Sequence, residues 1–156
     1  MQKQHENEIF SVHLSRNLST QGSDYIINES TVISTSLWFP SLKQIEKVIS
    51  NLHISTYENF LLANQEVSYL ANILNDEFLP MLVSKDDADI LMRQDEHRWN
   101  IYHYFSRVGF SSNYQQALLY HSMYCFAGVP QCGTIYYFTY HQDTWSAAGS
   151  VGVFNQ

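Results

Sequence analysis

The chain has 156 residues, 45% hydrophobic and 15% charged, which suits one folded domain with a sizeable core and argues against a disordered segment. A net charge of −7 and a pI near 5.3 argue against general nucleic-acid binding, which needs a basic footprint, and against an anionic membrane surface. No apolar run reaches membrane-spanning length.

The first eight residues lack the apolar segment of a signal peptide, so the chain is either cytoplasmic or an exported protein whose signal has been removed. Glu6–Arg16 reads as a first helix, with Ile9, Phe10 and Leu14 near one face. Asp24–Ile33 reads as extended. Asn17-Leu18-Ser19 and Asn28-Glu29-Ser30 match the glycosylation acceptor pattern, which is short and common. Ser41-Leu42-Lys43-Gln44 is a capping box, and Leu42, Ile45, Ile49 and Leu52 follow at helical spacing. Ser55-Thr56-Tyr57-Glu58 reads as a second box, opening a helix to about Asn64. Val67–Leu74 is irregular or a short helix, Leu79–Ser84 an edge strand, and Ser84 the cap of a helix running to Met92. Asp86, Asp87 and Asp89 fit the positive end of that helix better than a calcium loop, which would need a glycine and a downstream glutamate.

From Tyr102 to Phe154 the composition changes. Four runs rich in Tyr, Phe, Val and Ile are separated by Ser111-Ser112-Asn113, by Gly128-Val129-Pro130, and by His141-Gln142-Asp143-Thr144. Connections this short predict four antiparallel strands in meander order. The expected whole is a single α+β domain over 1–156, mainly helical to residue 100, its helices packed on the sheet of 101–156. Its expected core includes Leu42, Ile45, Ile49, Phe60, Val108, Phe110, Leu119, Tyr137 and Phe138. Only Arg107 and Asp143 carry fixed side-chain charge beyond residue 100, so neither sheet face is plainly polar. One face is expected to lie on the chain's own helices; the other is covered too or offered to a partner.

Chemical constellations are sparse. Nucleophile elbows, phosphate-binding loops and dinucleotide fingerprints are absent. His97, His103, His121 and His141 fall on different predicted elements, which favours packed or surface histidines over a metal or acid–base site. No catalytic, cofactor-binding or metal-binding residue is assigned. Cys125 and Cys132 bracket a short loop. They are either a disulfide, stabilising by about 2.5 kcal/mol from loop entropy, or two reduced thiols in a cytosolic protein.

The second half resembles an uncharacterised family of bacterial proteins, many of them secreted or lipid-anchored. The residues that carry the resemblance are Ser106–Phe110, Ala117–Tyr120, the Cys125–Cys132 loop, Tyr136-Tyr137 and Trp145, with weaker echoes at Phe60, Asn64 and Trp99. Asp143-Thr144 and Gly152-Val153-Phe154 depart from the family pattern, which has Asp/Asn-Gly in the third turn and a Trp in the last strand. The resemblance implies an α+β fold, an oxidised cysteine pair and an extracytoplasmic setting. It supplies no activity.

Two functions are expected from these features. The first is a non-catalytic binding or interaction module, with no cofactor, that uses Tyr120, Tyr124, Tyr136, Phe138 and Tyr140 on the sheet and Phe126 and Val129 at a stiffened hairpin tip. It would bind a protein partner or a second copy. The second is a small ligand-binding or enzymatic cone in which His103, His121, Tyr120 and Tyr137 line one pocket.

Overall fold

The computed structural model describes residues 1–18, 24–33, 39–94, 100–125 and 133–153. Its elements are α1 (Gln2–Asn17), β1 (Asp24–Ile27), α2 (Leu42–Glu46), α3 (Ile54–Ala63), β2 (Leu82–Val83), α4 (Lys85–Met92), β3 (Ile101–Phe105), β4 (Gly109–Phe110), β5 (Gln116–Cys125), β6 (Gly133–His141) and β7 (Thr144–Val153), with two short 3-10 turns, Leu70–Asn72 and Leu79–Met81. The α+β class is as expected.

The sheet corrects the expected topology. It is seven-stranded and mixed, in the order β2-β1-β3-β5-β6-β7, with β4 also on β5. β1 runs parallel to both β2 and β3, so the first hundred residues contribute two strands as well as helices. From β3 onward the pairings are antiparallel. The expected first strand, Tyr102–Phe110, is broken at Ser106–Val108, because side chains there take over from the ladder. Tyr120 N–H donates to the Ser106 hydroxyl at 2.9 Å. The Asn64 amide brackets the Arg107 peptide, accepting from its N–H at 2.6 Å and donating to its carbonyl at 3.0 Å. Gly109 then lets β4 meet the backbone of α3, since a Cβ there would strike Phe60.

Both faces of the sheet are covered, which explains why neither reads as polar. On one face Phe105, Leu119, Phe138 and Trp145 lie under α1 and the Leu70–Phe78 segment. On the other, Leu118, Tyr120, Ile135 and Tyr137 lie under Ile45, Ile49, Leu52 and Phe60, while Ala88 of α4 covers Tyr102. The nine predicted core residues all belong to these clusters, with Leu42 partly exposed.

Local signals set the helices unevenly. The Ser41–Gln44 capping box is present, yet α2 spans only five residues. Ser84 caps α4 by accepting from Asp87 N–H. α3 starts earlier than expected: His53 is its cap, accepting from Ser55 N–H at 3.2 Å, and Ser55 lies inside the helix. α1 buries Glu6, Ile9, Phe10, His13 and Leu14 at helical spacing. Burying Ile9, Phe10 and Leu14 contributes about 1.5–3 kcal/mol each, while Glu6 and His13 cost free energy unless satisfied.

Candidate functional site

Three buried histidines run in file between α1 and the sheet. His13 comes from α1, His121 from mid-β5 and His103 from β3, and none exposes more than 4% of its surface. His13 Nε2 lies 3.0 Å from His121 Nδ1, and His121 Nε2 lies 2.8 Å from His103 Nδ1. His103 Nε2 points to Asp24 Oδ1 of β1 at 3.5 Å, a longer contact than the two ring-to-ring bonds. At the other end the Asn17 amide nitrogen approaches His13 Nδ1 at 3.4 Å. Backbone register explains the convergence: Phe105 pairs with His121 and His103 with Met123, which places both histidines on the α1 face, and Ile26 beside His103 brings Asp24 to the same side.

The two ends fix where the protons sit. Asn17 Nδ2 also donates to the His13 carbonyl at 2.7 Å, which holds its NH2 toward the ring. His13 Nδ1 must therefore be an unprotonated acceptor, leaving its proton on Nε2. That proton is donated to His121 Nδ1 and His121 Nε2–H to His103 Nδ1, which leaves the His103 proton on Nε2, facing Asp24 Oδ1 across a 3.5 Å contact that is not a hydrogen bond. One proton per ring fits the two ring-to-ring bonds. A second proton on any ring places two donors face to face or strands one against Asn17.

Burial, the largest cause, holds all three below the usual imidazole range. His13 is lowered to about 4, with His103 and Arg16 adding repulsion. His121 is lowered to about 2, with His13 and His103 adding to it. His103 is lowered less simply, because Asp24 works against the burial.

The arrangement is not that of a mononuclear metal centre. His121 uses both ring nitrogens toward its neighbours, so the rings run in file instead of converging on one point. Among the described residues no three His, Cys, Asp or Glu side chains are disposed to hold a metal. Three open surface clefts, of about 360, 630 and 530 Å³, are lined by other residues. The histidines thus form an internal polar spine.

The expected site residues are placed as follows. The expectation that the histidines stay apart is corrected for His103 and His121, which adjoin; His141 is exposed at the end of β6, and His97 lies outside the described residues. The expected pocket does not form as a unit, because Tyr120 and Tyr137 lie on the opposite face from His103 and His121. The expected binding surface is divided too. Tyr120 and Phe138 are core residues on opposite faces, and Tyr136 and Tyr140 pack partly buried on the Phe138 side. Tyr124 is half-buried beside Tyr104. Phe126, Val129, Cys132 and the Cys125 side chain lie outside the described residues.

Sequence reasoning missed His13 and Asp24. His13 had a usable signal: it falls at helical spacing from Ile9 and Phe10, on the inner face. Asp24 opens a strand whose parallel pairing has no local signature. No protein-family model, curated protein or solved structure matches the chain, so the reading of the site rests on its own geometry.

Proposed function

We propose that this chain is a non-catalytic protein-interaction module whose contact surface is the outer edge of β7. The observation that carries this is the edge itself. β7 ends the sheet, spans ten residues without a charged side chain, and exposes Ser146–Ser150. Among the described residues it pairs only with β6. Long uncharged edges are templates for strand addition, and natural proteins usually guard them with lysine, proline or a covering element. Among the described residues the guard seen is a register shift that leaves Ala148 unpaired between Gly149 and Ala147.

A second copy fits this edge on charge. The molecule carries −7 overall, yet two apposed β7 strands bring no like charges together. Sedimentation velocity across a hundredfold concentration range tests it. A dimer that Ala147→Lys and Ser150→Lys dissociate supports the reading; a monomer throughout contradicts it. The extracytoplasmic setting and the oxidised Cys125–Cys132 pair belong to the same proposal and rest on the cysteine spacing and the family resemblance. Two free thiols in protein isolated under oxidising conditions would remove them.

A further inference from the structure

We infer that the C-terminal half of α1 is an acid-releasable strap: protons taken up by the His13–His121–His103 file detach residues 10–17 from the sheet while the Glu6–Arg107 pair holds the first turns and the strands stay paired.

The geometry divides α1 in two. Its N-terminal half is held by groups whose bonds do not pass through the file. Glu6 accepts from Arg107 Nε at 2.6 Å, from Nη2 at 2.7 Å and from Val108 N–H at 3.1 Å, and the Asn7 amide bonds Asn75 at 2.6 Å. Among the described residues the C-terminal half has one polar tie to the sheet, His13 to His121, and one to the Leu70–Phe78 segment, where Ser11 Oγ accepts from Asn75 Nδ2 at 2.8 Å, amid apolar contacts from Phe10 and Leu14. A second proton on His121 places two donors face to face and breaks the tie to the sheet, and one on His13 sets Nδ1–H against the Asn17 amide and leaves a charge buried in the file. In water a released His13 takes a second proton freely, so acid favours the detached state.

The groups facing the file set the direction. From α1 itself comes Arg16, whose charge opposes a cation on His13. β1 supplies Asp24, which favours one, but it reaches His103 and not His13. β6 contributes Tyr136, whose ring stands 4.4 Å from that of His13, and β3 contributes the apolar ring of Phe105. Among the described residues the anion that faces the file, Asp24, is therefore at its far end from the helix. A proton entering near His13 meets Arg16 and the Asn17 amide, and detachment is the available relief. Detachment uncovers Phe105, Leu119 and Phe138, an apolar stripe on the sheet.

Hydrogen–deuterium exchange of the full chain between pH 7 and 5, corrected for intrinsic rates, tests this. Each proton taken up on release lowers protection about tenfold per pH unit. Amides of residues 10–17 should lose ten- to a hundredfold per unit below about pH 6.5, and should stay less protected at every pH than β5 and β6, which exchange through global opening. Protection of residues 10–17 that does not change with pH, or that equals that of β5 and β6 at pH 5, would overturn the inference. His13→Gln removes one titrating ring and keeps a donor, and should reduce the slope about tenfold per unit. Should that variant not fold, Asn17→Asp carries the test. Asn17 is exposed, and a carboxylate there accepts a proton on His13 Nδ1, so the strap should hold to lower pH. An unchanged profile in that variant would also count against the inference.

Discussion

The carboxylate of Glu6 and the guanidinium of Arg107, 101 residues apart in sequence, meet in a two-pronged ion pair at 2.6 and 2.7 Å. Glu6 is fully buried, while Arg107 keeps a quarter of its side chain in water. The pair fastens the first helix to the break between β3 and β4, where Asn64 holds the Arg107 peptide from the other side.

Removing the anion should therefore cost more than a surface ion pair. Glu6→Gln strands a guanidinium that keeps only a quarter of its side chain in water and should destabilise by about 3 kcal/mol, the low end for a buried pair because Arg107 is partly hydrated. Urea denaturation at pH 7 measures it. A loss under about 1 kcal/mol would place the pair with ordinary surface bridges.

Global stability should fall with acid in a defined window. His13 and His121 are held below their ordinary value, so the folded chain binds fewer protons than the unfolded one. Their contribution is fully present above about pH 6.5 and is lost as pH falls, down to about 4 for His13 and further for His121. Between pH 6.5 and 5 the two together should remove about 3 kcal/mol. Urea midpoints at the two pH values check this, and equal midpoints would contradict the burial of neutral rings.

The β6–β7 turn offers a gain. Gln142 and Asp143 both adopt positive φ, 50° and 60°, as a two-residue primed turn requires, and neither is the residue best suited to it. Gln142→Asn with Asp143→Gly should stabilise by about 1 kcal/mol and raise Tm by roughly 2–4 °C. Thermal melting reads this directly.

Two glycines on the sheet should differ in their tolerance of alanine. At Gly109 a Cβ collides with the Phe60 backbone, which cannot step aside without moving α3, so Gly109→Ala should cost about 1–3 kcal/mol. At Gly149 the nearest atom to a new Cβ is Ile49 Cγ1 at 3.9 Å, ordinary contact, so Gly149→Ala should change stability by under about 0.5 kcal/mol. Chemical denaturation of both variants settles the comparison.

What the sequence disclosed follows the range of the forces involved. The long strands β5, β6 and β7 were legible because period, composition and turn chemistry are local. The cap at Ser84 was legible for the same reason, whereas the Ser55 box matched a common pattern two residues inside a helix that His53 begins. β1 and β2 were hidden as sheet partners because parallel pairing joins segments far apart with no turn to announce them. Tyr102–Phe110 reads as one continuous strand, since nothing local shows Asn64 and Glu6 drawing Arg107 away from the ladder. The histidine file was the least visible feature. Each ring sits alone among apolar neighbours, and only the register of β3 on β5, with α1 above, sets them nose to tail. Tyr120, expected at a surface, is core because helices cover both faces, and Phe138, expected both in the core and on the binding surface, is core for the same reason.

The proton positions in the file are the claim on which the site's chemistry depends. Nitrogen-15 NMR of the imidazoles at pH 7.5 reads them without perturbing the protein. His13, His103 and His121 should all be neutral, each with its proton on Nε2 and a lone pair on Nδ1. A proton on Nδ1 of any of the three, or a charged imidazolium at that pH, would contradict it.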